Sequence, residues 1–417
     1  MGDLRAAAVL PLVFAVALSG CTTSSKTQSS STPAPGASGA AGTIRIGIDL
    51  PVSGADASVG IPTQNGAVMA IEEAARAGLP GGFTLVASTL DDAVQGVHDP
   101  AQGAQNVKTF IADATVLGIV GPYNSNVAKA EIPLTNDAQI VQVSPATTAV
   151  GLTKGPDAAA LRASHPDSVA YFRVCSTDDW QGAADARYVR RLGLHKAFVI
   201  DDDETYGKGL ADIFEREFAS AGGTILGHEH LTRGQQDFKA LLTKVHAQNP
   251  DVVFFGGTTA SGGGLLRRQM GDVGMRDVPF AGGDGIADDE FIHTAGTMAD
   301  NTYFTVAAPD VLKMPSARSF VAAYQKRWNA PIGPYSANAY AAAAIEIAAI
   351  RSAIAAAKGA MPTRDAVLKA VAATKGFDSP IGPITFNKDG DRTGGAMSLY
   401  KIQGGKTVFV NQITVGT

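Results

Sequence analysis

The chain has little of several residue types that mark particular classes of protein. Its 417 residues include only two cysteines, Cys21 and Cys175, too few for a fold stapled by several disulfides. Lysine and arginine number 34 against 39 acidic residues, and the basic residues form no stripe interleaved with aromatics, which argues against a nucleic-acid surface. Beyond the N-terminus, the longest apolar stretch, residues 341–357, contains Glu346 and Arg351. This stretch is therefore predicted to be a buried helix rather than a membrane span.

The N-terminus has the pattern of an export signal. Arg5 precedes the apolar residues 6–18, a stretch too short to span a bilayer, and the stretch ends in Leu18-Ser19-Gly20-Cys21. This ending resembles the lipobox of bacterial lipoproteins, in which a peptidase cuts before the cysteine and the thiol then carries lipid. The resemblance implies a signal peptide over residues 1–20 and lipidation at Cys21; an ordinary secretory signal with an unrelated cysteine is the alternative. We therefore expect the chain on the outer face of the bacterial cell membrane, held there by a lipid anchor.

The segment after Cys21 differs in composition from the rest of the chain. Residues 22–42 are almost all Ser, Thr, Pro, Gly, Ala and Gln, with Lys26 as the one charge. Such a segment has too little apolar surface to offset the entropy of ordering, so residues 21–42 are predicted to be the lipidated cysteine and a flexible linker. The remaining body is long enough for two domains of about 150–200 residues. Cys175, left without a partner, is expected to be a small buried apolar side chain.

Short β-branched runs alternate with amphipathic stretches of helical length through most of the body. The predicted strands cover residues 43–50, 84–89, 116–120, 140–143, 197–201, 224–227, 252–255, 279–282 and 303–306. The predicted helices between them cover residues 66–76, 102–112, 126–137, 182–192, 208–221, 238–246 and 265–271. Such alternation predicts parallel sheets with helices on both faces, and an interruption at residues 147–173 divides it into two doubly wound, Rossmann-like α/β lobes.

The C-terminal quarter follows a different pattern. Alanine-rich helices are predicted at residues 315–327, 336–357 and 364–373, and β-like segments at 384–386, 396–402 and 408–413. Helices that arrive this late indicate that the chain crosses back to the first lobe. The predicted lobes are residues 43–177 plus 307–396, and residues 178–306 plus 397–417. Several crossings between two lobes make a hinge, and the cleft between the lobes can close around a ligand.

The turns after the predicted strands carry the candidate binding groups. Residues 121–126 and 144–148 each end a strand and offer free backbone N–H groups with a hydroxyl near a helix start, which is what a carboxylate needs. Simple helix capping is the alternative. Asp284 stands between Gly283 and Gly285 at the end of another strand, where the glycines are expected to allow a sharp turn that exposes the carboxylate. An acid opposite two such helix starts suits a zwitterion, whereas an ordinary Asp-Gly turn is the alternative.

Local motifs in a fixed order resemble the type I periplasmic binding proteins, in particular the leucine/isoleucine/valine-binding receptors of ABC transporters. The resemblance extends from residue 43 to about 404. It rests on the following motifs: Ile46-Gly47, Pro51-Val52-Ser53-Gly54, Gly118-Ile119-Val120-Gly121-Pro122, Val143-Ser144-Pro145-Ala146-Thr147-Thr148, Phe172-Arg173, Asp178, Gln181-Gly182, Tyr206-Gly207-Lys208-Gly209, Asp251, Gly256-Gly257 and Ile381-Gly382-Pro383.

The resemblance implies a role for each matched position. Ser125, Ala146 and Thr148 match residues that hold the α-carboxylate of the ligand and share its α-ammonium. Tyr206 matches an aromatic from the second lobe, and Asp284 stands where amino-acid binders place an acid, usually Glu, that pairs with the ammonium.

Three departures from the family pattern bear on the ligand. Val59 and Thr258 occupy positions where leucine-type receptors have aromatic walls, so the pocket is expected to be roomier or differently shaped. Asn124 takes one place of a cysteine pair that the family has and this chain lacks. The ammonium is also expected to approach further towards Asp284, or through a water, because Asp is one methylene shorter than Glu.

An enzymatic alternative rests on Asp201-x-Asp203-x-Thr205, which has the DxDxT pattern of haloacid-dehalogenase-type phosphatases, with Asp288 and Asp289 as possible magnesium ligands. A whole α/β lobe precedes the motif here, which disfavours this interpretation.

A glycine-rich run at 256–264 lacks the Gly-Lys-Ser/Thr ending of a phosphate loop. His228 and His230 are expected to be surface histidines, and no metal or cofactor is predicted.

The sequence thus predicts a non-enzymatic, monomeric receptor that binds a branched-chain or other small amino acid by closure of the cleft. It would pass the ligand to an ABC permease in the membrane. A receptor for short amides or urea, and a ligand sensor of the same fold, are the alternatives that the sequence leaves open.

Overall fold

The structure, a computed structural model, describes residues 42–416. The predicted signal peptide, Cys21 and nearly all of the predicted linker lie outside the described residues. The strands of the described part are β1 (Thr43–Leu50), β2 (Thr84–Asp91), β3 (Ala93–Val94), β4 (Val97–His98), β5 (Val116–Val120), β6 (Val141–Ser144), β7 (Tyr171–Arg173), β8 (Lys196–Asp201), β9 (Thr224–His230), β10 (Val252–Gly256), β11 (Phe280–Gly282), β12 (Thr302–Val306), β13 (Gly395–Gln403) and β14 (Lys406–Val415).

Twelve α-helices connect these strands within the same residues. They are α1 (Ala57–Ala77), α2 (Pro100–Ala112), α3 (Ser125–Asp137), α4 (Gly155–Leu161), α5 (Asp178–Arg191), α6 (Thr205–Ser220), α7 (Lys239–Ala247), α8 (Gly263–Asp272), α9 (Asp289–Ala295), α10 (Arg318–Trp328), α11 (Ser336–Ala356) and α12 (Arg364–Ala372). Among these helices only α11 is long and apolar enough to cross a membrane, and most of it is buried against the rest of the protein. The burial agrees with the interpretation of residues 341–357 as a core helix.

The strands form two main sheets. The first has the order β2-β1-β5-β6-β7, and all of its neighbouring strands are parallel. The second has the order β14-β13-β12-β11-β10-β8-β9, with β8 to β12 parallel and the last two strands antiparallel. Both sheets therefore have the order that strand–helix–strand units produce. A small antiparallel pair, β3 and β4, stands apart from them.

The chain returns from one sheet to the other after β12. Helices α11 and α12 pack against β5 and β6 of the first sheet, and α11 also packs along α1. The chain then crosses again, and β13 pairs antiparallel with β12 of the second sheet. The return that the late alanine-rich helices predict is thus present. The residue limits predicted for the two lobes remain a proposal.

The structure differs from the predicted secondary structure in several places, including the unpredicted helices α4 and α9. Residues 384–386 do not form a strand; Ile384 and Phe386 make only isolated bridges, with Phe377 and Arg392. Within the predicted interruption, residues 171–173 form the edge strand β7 of the first sheet. Residues 171–173 are a strand because they pair with β6, whereas residues 384–386 lack a continuous partner strand, and neither property can be predicted from such short segments alone.

Candidate functional site

The turns that follow β5, β6, β8, β10 and β11 meet between the two sheets. Ten residues from these turns and the helices after them surround one small cavity. They are Tyr123, Asn124, Ser125, Asn126, Ala146, Thr148, Glu204, Tyr206, Thr258 and Asp284. The free space among them is about 20 Å³, enough for about one water molecule. The cavity thus lies at the carboxyl ends of the parallel strands of both sheets, where α/β proteins place their ligands.

A hydroxyl network fixes the turn after β6. Ser144 Oγ donates to the carbonyl oxygen of Pro122 at 2.8 Å and accepts from the backbone N–H of Thr147 at 3.1 Å. Ser125, the first residue of α3, accepts a 3.3 Å hydrogen bond from the backbone N–H of Ala149. These bonds join the turn after β5 to the turn after β6. The groups of Ser125, Ala146 and Thr148 are thereby held together on the first-sheet side of the cavity.

The buried Arg173 supports the same turn from behind. Its guanidinium donates to the carbonyl oxygens of Thr147 and Ala149 at 3.1 and 2.7 Å, and to Asp391 Oδ1 at 2.7 Å. The side chain of Arg173 is fully buried. Because carbonyl oxygens and a carboxylate satisfy this buried charge, the turn is fixed by electrostatics as well as by hydroxyl groups.

Asp284 supplies the acid of the second-sheet side. Its Oδ1 accepts from Gln181 Nε2 at 2.6 Å and from Tyr206 Oη at 3.1 Å, and its Oδ2 accepts from Tyr335 Oη at 2.8 Å. Burial raises the pKa of Asp284 above its usual range, although the hydrogen bonds from Gln181, Tyr335 and Tyr206 act in the lowering direction. The expectation that the turn exposes this carboxylate is therefore wrong, because only 5% of the residue is accessible.

The glycines beside Asp284 serve close packing. The backbone does turn at Asp284, where residues 284–286 form a 3-10 turn, but neither Gly283 nor Gly285 has a positive φ, so the turn does not depend on the conformational freedom of glycine. A Cβ on Gly283 would lie 2.6 Å from Tyr206 Oη, and a Cβ on Gly285 would lie 2.2 Å from the carbonyl oxygen of Gly257. The two glycines therefore let the second-sheet turns and Tyr206 approach the backbone around Asp284.

A second acid, Glu204, contacts the first-sheet side of the cavity. Its Oε2 accepts from Asn126 Nδ2 at 2.9 Å and lies 2.8 Å from His98 Nε2, while His98 Nδ1 lies 2.8 Å from Asp56 Oδ2. Burial lowers the pKa of His98, but the hydrogen bonds and charges of Asp56 and Glu204 outweigh it and raise this pKa to about 10. His98 is therefore a buried cation between two carboxylates that belong to turns of opposite sheets.

Two polar atoms in the wall of the cavity have no hydrogen-bond partner among the described residues. They are the hydroxyl of Tyr123 and the side-chain oxygen of Asn124. Both residues are more than nine-tenths buried. Such atoms cost free energy unless they bond to another group, so each is available to a polar group of a ligand.

Six of the seven residues predicted from the sequence to contact the ligand lie around this cavity: Ser125, Ala146, Thr148, Tyr206, Thr258 and Asp284. Val59 does not lie in the cavity wall; it is buried in α1, where its carbonyl oxygen accepts from Thr63 Oγ1 at 2.7 Å. The roles of these residues in binding stay predictions.

Sequence reasoning missed Gln181 as a contact of Asp284, and it missed Glu204, His98 and Tyr335. Glu204 alone had a signal, because it ends an acidic run two residues before Tyr206.

The acidic motif behind the phosphatase alternative has other contacts. Asp201 Oδ1 and Oδ2 lie 2.7 Å from His230 Nδ1 and His228 Nε2 respectively. Both oxygens are thus occupied by imidazoles, and the Asp201 side chain is fully buried. Neither oxygen is free to attack a phosphate, so the geometry disfavours a nucleophilic role. Cys175 is buried as expected, and burial raises the pKa of its thiol.

The chain belongs to the periplasmic binding protein family, whose model matches residues 43–406. Leu/Ile/Val-binding protein homolog 3 of Brucella melitensis biotype 1 is 33% identical over 373 residues, which cover 89% of this chain and 95% of the relative. The LivJ branched-chain amino acid transporter substrate binding protein of Streptococcus pneumoniae, solved in complex with isoleucine, has a TM-score of 0.76. It is 26% identical to this chain, and the match covers 90% of this chain and all of LivJ.

The same fold carries other ligands. A solute binding protein of R. palustris, solved in complex with benzoate, is 18% identical with a TM-score of 0.74, and the match covers 90% of this chain and 98% of that protein. The comparisons confirm the predicted fold class, two α/β lobes of a type I periplasmic binding protein, and its branched-chain amino acid ABC transporter branch. Family membership also implies a place outside the cytoplasm, a small-molecule ligand and an ABC permease as partner.

Proposed function

We propose that this chain is the receptor of an ABC importer and binds a branched-chain or other small α-amino acid by closure of its cleft. One observation carries the proposal: the Asp284 carboxylate lies across a single cavity from the Ser125 and Thr148 turns. An acid and two turns rich in N–H and hydroxyl donors, on opposite sheets, match the two charges of a zwitterion. The proposal includes no catalytic step.

The proposed binding mode assigns one charged group of the ligand to each sheet. The ligand carboxylate would accept hydrogen bonds from Ser125, Thr148 and the backbone near Ala146, while the ammonium would donate to Asp284. Gln181 and Tyr335 already donate to Asp284, so they would hold its oxygens in place for the ammonium and favour the ionised form of the carboxylate. Because the ligand would touch both sheets, it would favour the closed form by its extra affinity for that form.

The walls of the cavity narrow the class of side chain. Asn124, Asn126, Glu204 and Thr258 line it, and Ala146 contributes the one purely apolar side chain. A leucine side chain enclosed by these groups would leave polar atoms unpaired, whereas a small or polar side chain would not. We therefore expect small and polar amino acids to bind at least as well as leucine. Short amides or urea remain the alternative, since they also match polar walls.

A thermal-shift screen of the full chain against single amino acids, short amides and urea tests the proposal. A ligand at 100 times its dissociation constant adds about 2.7 kcal/mol to the free energy of unfolding. We expect a rise in melting temperature with at least one amino acid and none with its decarboxylated amine or its deaminated acid. A rise with amides alone would replace the amino acid by the amide alternative. No rise with any of these compounds would count against the proposal as a whole.

The last feature of the proposed receptor is its N-terminal lipid anchor. We propose that Cys21 carries lipid and holds the receptor on the outer face of the cell membrane, as a monomer beside its permease. The support is the sequence at residues 18–21 together with family membership. Cell fractionation tests it: a Cys21→Ser variant should leave the membrane fraction, and equal membrane retention of the variant would contradict lipidation at this residue.

A further inference from the structure

We propose that the chain has a second binding site, for a divalent transition metal ion such as Zn²⁺, formed by Asp201, His228 and His230. The site lies at the end of β8 and along β9, the edge strand of the second sheet. One ligand atom from each of these three residues lies within 4.8 Å of the others. None of the three residues lines the cavity described above.

The strands place the three side chains on the same face of the sheet. His228 and His230 are two residues apart on β9, so their side chains point to the same side. Asp201, the last residue of the neighbouring parallel strand β8, is paired in register with His230. The backbone of both strands therefore sets the spacing of two imidazoles and one carboxylate, without help from a mobile loop.

The contacts among the three residues are close to those of a metal site. Asp201 Oδ2 lies 2.7 Å from His228 Nε2, and Asp201 Oδ1 lies 2.7 Å from His230 Nδ1. In a tetrahedral site with bonds of about 2.0 Å, ligand atoms lie about 3.3 Å apart. An ion bound through one oxygen of Asp201 would lengthen the contact of that oxygen with its imidazole by about 0.6 Å, and the other imidazole, whose ligand atom lies within 4.8 Å, would rotate towards the same ion.

A further carboxylate supports the site from outside. Glu215 Oε2 lies 3.1 Å from Nδ1 of His228, the ring nitrogen that faces away from Asp201. Histidines that bind metals commonly donate this other N–H to a carboxylate, which fixes the tautomer and orients the ring. This contact is independent of the Asp201 contacts and has the arrangement that a metal-binding His228 needs.

The donor set and its exposure select the kind of ion. Two imidazoles and a carboxylate suit Zn²⁺, Ni²⁺ or Cu²⁺, whereas Ca²⁺ and Mg²⁺ prefer all-oxygen sites. Asp201 is fully buried, but the side chain of His230 is 46% exposed, so an ion can enter from solvent and keep water in its remaining positions. The site would then have three protein ligands and an open side.

Isothermal titration of the untagged full chain with ZnCl₂ tests the proposal, because a polyhistidine tag would itself bind the ion. We expect one zinc ion per chain and no binding of Ca²⁺ or Mg²⁺. The His230→Gln variant, which changes a partly exposed residue, should weaken zinc binding at least 100-fold. The matched control His293→Gln removes a histidine that is 83% exposed elsewhere and should bind as the unaltered chain does.

A third variant distinguishes the two sides of His228. Glu215→Gln should weaken zinc binding by about 10–100-fold if Glu215 only orients His228. Asp212 and Glu215 also lie near His228, so a loss on Glu215→Gln with no effect of His230→Gln would place the ion there and overturn the proposed site. Absence of zinc binding to the unaltered chain, or equal binding by the His230→Gln and His293→Gln variants, would also overturn it.

Discussion

Asp284 combines burial with a full set of hydrogen-bond donors. Three side chains donate to its two oxygens, and one of them, Tyr335, precedes α11, which packs on the first sheet. A carboxylate held in this way loses little freedom when a ligand ammonium arrives, since its position is already fixed. Because these donors are placed for the two oxygens of a carboxylate, the site is sensitive to the charge of residue 284.

Substitution of Asp284 by Asn tests its role in ligand binding. The change keeps the shape but removes the negative charge, so the ammonium of an amino acid would be enclosed without a counter-charge. We expect affinity to fall by about 100-fold or more, corresponding to a few kcal/mol, as measured by isothermal titration with the ligand that the screen identifies.

The control for this variant is Asp277→Asn, which changes an exposed carboxylate outside the cavity and should leave affinity unchanged. An Asp284→Asn variant that binds an amino acid as tightly as the unaltered chain would show that the ammonium pairs elsewhere. Retained binding of an amide would fit the neutral-ligand alternative.

The extent to which the site could be predicted follows from how its residues are positioned. The turns at 121–126 and 144–148 follow parallel strands whose carboxyl ends meet at one edge, so local sequence locates the turns, whereas the family resemblance selects Ser125, Ala146 and Thr148 within them. Tyr335 lies 51 residues from Asp284 in sequence, and nothing near it marks the contact. Val59 was assigned by resemblance alone, and helix packing directs it into the core instead.

At the scale of elements, α1 and α11 approach each other closely. A Cβ on Gly66 of α1 would lie 1.9 Å from the carbonyl oxygen of Ser336, the first residue of α11. Backbone is thus in direct contact with backbone, and no flexible side chain could move aside. This contact fixes the start of α11, next to Tyr335.

We expect Gly66→Ala to destabilise the protein by about 1–3 kcal/mol, because the added methyl group forces the helices apart. The matched control is Gly209→Ala in α6, where a Cβ would meet nothing within 4 Å. That change should be neutral or stabilise by up to about 1 kcal/mol, since alanine favours a helix. Urea unfolding of both variants measures the difference, and equal stabilities would contradict the packing described.

Some elements could be predicted to the residue and others not at all. The bounds of β1 follow from β-branched residues at alternate positions that end before Pro51, and those of β5 from an apolar run that ends before Gly121. The strand β7 is buried but only three residues long, and its place in the sheet depends on pairing with β6. Helix α9 is also short, with seven residues, and the side chain of Asp288 caps its start. Length alone does not separate the two groups, because β11 is also three residues long and lies within the predicted strand 279–282.

At the scale of the whole molecule, His98 links turns of the two sheets. Its folded-state pKa of about 10 lies above the ordinary value of 6.5, so folding favours the protonated ring. The stability that this ring contributes is therefore fully present below pH 6.5 and is lost as the pH rises from 6.5 to about 10. The loss can reach at most about 1.4 kcal/mol per pH unit.

Replacement of His98 by Gln should remove this dependence. We expect the unfolding free energy of the unaltered chain to fall more steeply between pH 7 and pH 9.5 than that of the His98→Gln variant, as measured by urea titration. His293→Gln, which changes an exposed histidine, should keep the unaltered slope. Equal slopes for the His98→Gln variant and the unaltered chain would show that His98 does not bind a proton between the two carboxylates.

The pairing of β12 with β13 also determines when the second sheet can be completed during synthesis. The two strands are neighbours in the sheet, yet 89 positions separate Val306 from Gly395 along the chain. At about 5–20 residues per second, β12 would wait about 5–20 s for its partner to be made. During that time the edge of β12 is unpaired and open to other chains, so the second sheet is completed only once residues 395–403 have been made.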